Sequence, residues 1–289
     1  MRFRITLLLF IIAPQIFGQA PIFNPLKESN QARQHVRPIT GILGAFPPEL
    51  VLLQARLSHK KDTIIQHIHF IEGVLEGRQV VVAQTGIGKV NAAIVTTLLI
   101  EYFQPAEIIF TGIAGGVNPA LAPGDIVIGT RAAYHDYGTL RTDSMERRAT
   151  RNPFTMQENP VYFPCDSGLV QLALQAASHT KLDSIGTSAG NRLPRISAGT
   201  IVTGDVFVAS HDITRALHRD MQADATEMEG AAVAQSCWQQ HVPFLIIRSL
   251  SDDAGNNASE LVRNFYELAA RNAASLVLAI VEQVKAGRH

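Results

Sequence analysis

Hydrophobic residues in this chain come in short unbroken runs, separated by stretches with a helical repeat or by clusters of glycine and proline. Residues 39–45 (I-T-G-I-L-G-A) form the first run, and 80–83, 107–110, 196–203 and 245–252 follow. Short apolar runs bounded by turn residues predict buried strands. Between them the period changes. Pro47 and Pro48 open a segment with apolar residues at Leu50, Leu53 and Leu57, one face of a helix. That places Glu49 in the first helical turn, where the helix dipole favours a carboxylate. Further helices are predicted from 91 to about 103, from about 168 to 178, after Gly230, and over 259–284, the last with an amphipathic stripe. Alternation of strands and helices in this way predicts an α/β fold.

The first residues follow a different pattern. Arg2 and Arg4 precede an apolar run at 5–12 and the small-x-small signature Gly18-Gln-Ala20. This reads as a secretory signal peptide over 1–20, with an apolar run too short to cross a bilayer, and predicts a secreted or periplasmic protein. Residues 21–38, rich in Pro, Asn and Gln, read as an extended leader, and 39–289 as one domain. Its length, roughly 270 residues after cleavage, suits one large α/β domain. No other stretch reads as transmembrane, so no membrane partner is expected once the signal is removed.

Composition narrows the partners. The chain is 46% hydrophobic but only 17% charged, below the usual share of about a quarter, which favours self-association. Its 25 basic and 25 acidic residues cancel, and without a basic face the counterion release that drives nucleic-acid binding is lacking. The cluster Arg147, Arg148 and Arg151 reads as a solvated loop. Cys165 and Cys237 allow at most one disulfide, Cys237 reads as a small hydrophobe in a helix, and no metal-ligand spacing exists. Neither a metal nor a cofactor is expected.

Chemistry concentrates near the end. Thr226-Glu-Met-Glu229 puts Glu227 and Glu229 one residue apart just before a small-residue helix, so that both acids face one cleft if the segment is extended. The strand at 245–252 then delivers Arg248 and, at its tip, Asp252. Folding alone does not need so much charge in an apolar segment. Two glycine turns add to this. Residues 84–90 lack the glycine and hydroxyl of a P-loop, and Asn91 stands where a dinucleotide motif needs its third glycine. What remains is a tight turn or a modest anion site of backbone N–H groups. A second turn, 111–117, has glycines at 112, 115 and 116 that let backbone approach a ligand.

Taken together, E-M-E-G-A-A at 227–232, V-P-F at 242–244 and R-S-L-S-D at 248–252 resemble the nucleoside phosphorylase and nucleosidase superfamily, in particular its 5′-methylthioadenosine/S-adenosylhomocysteine nucleosidases. T-G-I-G-K-V at 85–90, T-G-I-A-G-G at 111–116, P-G-D-I-V-I at 123–128, Tyr134-His-Asp136 and G-D-V-F at 204–207 are similar to further segments of that family, and the likeness runs from about Thr40 to about Lys285. The resemblance implies a single-domain twisted mixed sheet flanked by helices, a homodimer, and cleavage of an adenine nucleoside. It also implies roles. Glu49 would activate water, Asp252 would act as general acid toward purine N7 with Ser251 positioning it, and Arg248 would hold the anionic groups and the water. Glu229 would accept both ribose hydroxyls, with Met228 on the sugar and Glu227 nearby. Phe207 would stack on the base, Val208 would read its edge, and Ala114 and Gly115 would line the ribose and base.

Physically, breaking an N-glycosidic bond needs a proton at the departing base and anions near a sugar that becomes cationic. The chain departs from the family's pattern at Pro47-Pro48, at Ile113 where serine is common, at Val262 where an aromatic is common, and in a longer 137–166 segment. His135 reads as an exposed loop residue. Phosphorylases of this superfamily carry an arginine just before the second glycine turn; Phe110 and Thr111 stand there, and no arginine lies between Arg78 and Arg131, which favours water over phosphate. A phosphorylase, or a non-catalytic exported binding or storage protein, remains the alternative. The charge balance disfavours a DNA glycosylase.

Overall fold

In the computed structural model, residues 38–287 are described except 143, 188 and 189, so the signal peptide expected over 1–20 and the leader expected over 21–38, apart from residue 38, lie outside the described residues. Strands β1 (Thr40–Gly44), β4 (Arg78–Gln84) and β5 (Glu107–Gly116) run parallel side by side, β1 in the middle. They are nearly continuous apolar runs because both faces of a parallel sheet are covered. β2 (Ser58–Ile65) and β3 (Ile68–Leu75) form a hairpin that extends this side antiparallel to β4. On the other side come β14 (Phe244–Asp252), β6 (Ile126–Tyr134), β12 (Ile196–Thr203) and β13 (Ala223–Glu227), giving the order β13-β12-β6-β14-β5-β1-β4-β3-β2, with β9 (Tyr162–Pro164) added on β6; β7 (Gly138–Leu140) with β8 (Met145–Arg147), and β10 (Ile185–Thr187) with β11 (Gly190–Arg192), form two small separate sheets. β13 also pairs with the end of β5 through Gly115 and Gly116, which closes β5, β14, β6, β12 and β13 into a ring.

Helices cover the sheet in two groups. α2 (Lys89–Phe103) and α5 (Gly230–Gln239) pack on each other, while α1 (Val51–Arg56), α3 (Ser167–Ala177) and α6 (Ala258–Gly287) form the second group. α6 buries Ala269, Ala270, Ala273, Ala274, Val277, Ile280, Val281 and Val284, a stripe at helical spacing whose alanines permit close approach to the strands. Burying each larger aliphatic side chain contributes about 2 kcal/mol. α4 (His211–Met221) leads into β13.

Two expectations are corrected. The second glycine turn is not a loop: β5 continues through it to Gly116, because β14 pairs with it residue by residue from Ile108 to Gly115. His135 is not exposed. It is buried against Gly204, where an added Cβ would lie 2.3 Å from the imidazole Cε1, and burial pushes its pKa down. The two cysteines are free and buried.

Parallel strands β1, β4 and β5 all point their carboxyl ends one way. Their far ends are fastened by a buried ion pair between Arg78 and Glu107 at 2.8 Å, bridged by Thr40. The carboxyl ends are left to open into turns, the usual place for a ligand crevice in such sheets.

Candidate active site

β1 ends in a turn whose backbone doubles back through Pro47–Glu49, a short 3-10 helix with prolines at its start. This returns the Glu49 side chain onto its own turn. One carboxylate oxygen accepts the N–H groups of Ala45 and Phe46, the second at 3.2 Å, and the other accepts the Ile113 N–H at 2.9 Å. The carboxylate lies flat on β5, where only glycine fits: a Cβ at Gly112 would stand 2.4 Å from Glu49 Oε1. Glu49 is 2% exposed. Burial raises its pKa above the ordinary glutamate value, against the pull of Arg248 and the three N–H groups. A carboxylate so raised is a better proton acceptor near neutral pH.

Asp252 reaches the cleft by a different device. Register between β14 and β5 slips between Leu250 and Asp252, so that Ser251 is an extra residue, a bulge of the kind that re-aims side chains beside functional sites. Ser251 Oγ donates to Asp252 Oδ2 at 2.7 Å, and the Ala254 N–H donates to Oδ1 at 2.7 Å. Burial nevertheless raises the Asp252 pKa, with the charge of Asp253 adding to it. Burial that favours the neutral form of a carboxyl makes it a better proton donor near neutral pH.

Glu227 and Glu229 stand at the junction of β13 and α5, as the sequence predicts, but they do different work. Glu227 accepts from Thr203 Oγ1, from the N–H groups of Glu229 and Gly230 at 3.1 and 2.7 Å, and from Arg248 at 2.8 Å. It caps α5 and is spent on the scaffold. Glu229 accepts the Gly88 N–H at 2.8 Å through Oε1, leaving Oε2 without a protein partner among the described residues. Its pKa is pushed up to about 8 by burial and by the neighbouring Glu227, against Arg248 and the Gly88 N–H. The glycine turn at 84–90 therefore does offer a backbone N–H to an acid, and the acid is the protein's own Glu229.

Arg248 stands behind this group and does not line the cleft. It is 1% exposed, stacks 4.0 Å over the Phe110 ring and pairs with Glu227. A fixed cation under two acids stabilises them without opening the site to free anions.

The cleft bounded by these groups has a volume of about 230 Å³. Glu49, Glu229 and Asp252 line it together with Glu227, Met228, Ala114, Gly115 and Ser251. Phe207, half exposed, forms one wall; beside it a small recess is bounded by Phe207, Val208, Gly115, Met228 and Asp252. Phe46, Ile87, Ile113 and Val262 make the cleft apolar at its other lining positions, and none of the lining residues is Lys or Arg. Of the residues singled out from sequence, all but Arg248 meet in the cleft or its recess. Sequence reasoning missed Thr203 and Gly88 as holders of the two glutamates; the glycine pattern at 86–88 was the available signal for the second. Larger grooves lie elsewhere, one of about 830 Å³ between α2 and α5, but neither it nor the one of about 740 Å³ beside α4 gathers raised carboxylates.

The comparisons with known proteins agree with this geometry. Residues 39–282 match the family model of the Phosphorylase superfamily. A 5′-methylthioadenosine/S-adenosylhomocysteine nucleosidase of Psychromonas ingrahamii is 40% identical over 248 residues, covering 84% of this chain and 98% of the relative. Among solved structures, a nucleosidase of the same name from Colwellia psychrerythraea in complex with adenine is 35% identical with a TM-score of 0.73, covering 86% of this chain and 96% of that one. The Neisseria meningitidis nucleosidase in complex with methylthio-immucillin-A is 32% identical with a TM-score of 0.71, covering 85% and 99%. With a family match across nearly the whole described chain and a cleft of raised carboxylates at the ends of its parallel strands, this chain belongs to the phosphorylase superfamily.

Proposed function

We propose that the chain hydrolyses the N-glycosidic bond of 5′-methylthioadenosine, S-adenosylhomocysteine or a related adenine nucleoside, releasing adenine and the 5-thioribose. Water attacks C1′ while the bond from C1′ to N9 breaks. Asp252 gives its proton to purine N7, Glu49 takes one from the water, and solvent returns that proton to Asp252. Glu229 accepts the ribose hydroxyls, and the carboxylates around the sugar stabilise the cationic transition state. Phe207 offers its half-exposed face to the purine, and Val208 its backbone to the purine's edge.

One observation carries the choice of water over phosphate. The donors that an oxyanion would need at the end of β1 and beside Gly112, the N–H groups of Ala45, Phe46 and Ile113, are already taken by the Glu49 carboxylate. A phosphate dianion brought there would meet that carboxylate and no cleft-lining Lys or Arg. The binding-protein alternative is disfavoured because all three acids that the chemistry requires are present, and burial shifts the base Glu49 and the acid Asp252 in the direction each role needs. The test is adenine release from methylthioadenosine by the purified protein with and without phosphate. Phosphate-independent release supports hydrolysis; release only with phosphate, or none, refutes it.

Two further readings belong to the same proposal. A homodimer is supported by the family resemblance and by exposed Val90 and Tyr137 set among polar residues in the groove where α2 meets α5, and sedimentation at micromolar concentration tests it. Action outside the cytoplasm is supported by the basic start and apolar run of residues 1–20, and cell fractionation tests that.

A further inference from the structure

Lys89 is the first residue of α2, and a cation at a helix N-terminus opposes the helix dipole. Its surroundings offset this. Its Nζ donates to both oxygens of Asp136 at 2.8 and 2.7 Å, lies 3.5 Å from Asp205 Oδ2, and sits 5.5 Å over the Tyr134 ring. Its backbone N–H donates to Asp205 Oδ1 at 2.8 Å, and the Asp205 N–H donates back to Asp136 Oδ2 at 2.9 Å. Asp136 is partly buried, which alone would raise its pKa, but the bonds from Lys89 and Asp205 hold it below the usual carboxylate range.

These contacts form a closed triangle joining three separate segments: the glycine turn, the exit of β6, and the segment 204–208 that carries Phe207. The preceding residue of the turn, Gly88, donates to Glu229. On the other side, Val206 and Phe207 are 54% and 52% exposed. Among the described residues, the segment's hydrogen-bonded anchors are Gly204 and Asp205 at one end and Ser210, bonded to the Ala254 carbonyl, at the other. Val208 beside the wall is buried in a small apolar cluster, so the half-exposed wall is fixed on that side by packing and takes its position on the other from the Asp205 anchor. Gly204 cannot move inward, because the buried His135 ring already touches it.

We propose that Lys89 and Asp136 are positioning residues for the purine: through Asp205 they set the place of the Phe207 wall against the ribose carboxylate, and so tune adenine affinity. This rests on the nucleosidase reading above. The substrate's charge is not involved, since the ion pair is already satisfied within the protein.

The experiment measures adenine binding by calorimetry, kcat and KM with methylthioadenosine, and thermal midpoint, for wild type, Asp136→Asn, Lys89→Met, the double variant and Lys89→Arg. Loss of a charge-assisted hydrogen bond in a half-buried setting predicts adenine Kd and KM raised about tenfold in both single variants, with kcat within about twofold. The double variant should be no worse than either single one, and Lys89→Arg should recover most of the affinity. If Asp136→Asn fails to fold, Lys89→Met and Lys89→Arg still decide the matter. A fall in thermal midpoint with adenine affinity and KM unchanged, or a loss confined to kcat, would overturn the proposal. Failure of the wild type to bind or release adenine would instead remove the nucleosidase reading itself, and the positioning role with it.

Discussion

Replacing Gly112 by alanine places a single methyl group against the Glu49 carboxylate. The new Cβ would stand 2.4 Å from Glu49 Oε1, 2.8 Å from its carboxyl carbon and 3.2 Å from Arg248. Ordinary contact needs roughly 3.4 Å in a close-packed interior, so the carboxylate must retreat by about 1 Å. It cannot rotate in place, because Ala45 and Phe46 hold one oxygen and Ile113 the other. Retreat breaks the bond to the Ile113 N–H, worth about 2 kcal/mol for an ionised acceptor. A catalytic group misplaced by about 1 Å loses on the order of a hundredfold in rate. Adenine release by Gly112→Ala should therefore fall by about that factor in kcat, with about 1–3 kcal/mol of stability lost to overpacking. The decisive assay is a double-mutant cycle with Glu49→Ala, which removes the obstructing carboxylate. In that background the added methyl should cause little further loss. Equal losses in both backgrounds would refute the account, because the methyl would then be acting on something other than Glu49.

Asp252→Asn should abolish base release while leaving the melting temperature near that of the wild type; full activity in that variant would sink its assignment as the acid. Ser251→Ala tests the pH dependence: the general acid must be protonated, so the rate falls as pH rises through the already raised Asp252 pKa. The Ser251 bond favours the ionised form, so its loss should raise that pKa further and move the alkaline limb of kcat/KM to higher pH; a limb that moves down contradicts this. Arg248→Met leaves Glu227 buried without its cation and should destabilise the fold by about 3–5 kcal/mol, or roughly 10 °C in melting temperature, whereas an unchanged midpoint would show that the pair contributes little. Cys165, buried and pushed up to about 12, should resist thiol reagents in the native protein and react on unfolding; rapid labelling of the folded protein would contradict its burial.

The parts of this fold legible in the sequence are those whose signal is local. β1, β4 and β14 stand out through the apolar runs that a strand buried on both faces carries, and α6 because its stripe repeats over many turns. Glu229 and Asp252 stand out as part of a concentration of charge beside apolar runs, whereas Glu49 reads from its local pattern as a helix-dipole charge and is marked for the site only by the family resemblance. The β2–β3 hairpin left no such trace: β2 is S-H-K-K-D-T-I-I, mostly exposed, and its turn residues Gln66 and His67 adopt positive φ without the usual glycine or asparagine. The passage of β5 through its glycines was hidden because only β14 and β13, far along the chain, make it a strand. Arg248 reads as a member of the cleft, yet its pairing with Glu227 holds it behind the lining, while Glu227 lines the cleft with its carboxylate engaged by the scaffold. The ion triangle of Lys89, Asp136 and Asp205 joins three distant segments by contacts that no spacing along the chain announces.

The hairpin also has a practical use. Sheet order puts β1, β4 and β3 between β5 and β2, which at about 4.8 Å per strand separates β2 from β5, whose end lines the cleft, by roughly 19 Å. His59, Lys60 and Lys61 there face outward. A fluorophore, affinity handle or surface tether attached along this edge would leave the cleft unobstructed, so the protein lends itself to immobilised sensing of adenine nucleosides without redesign of the site.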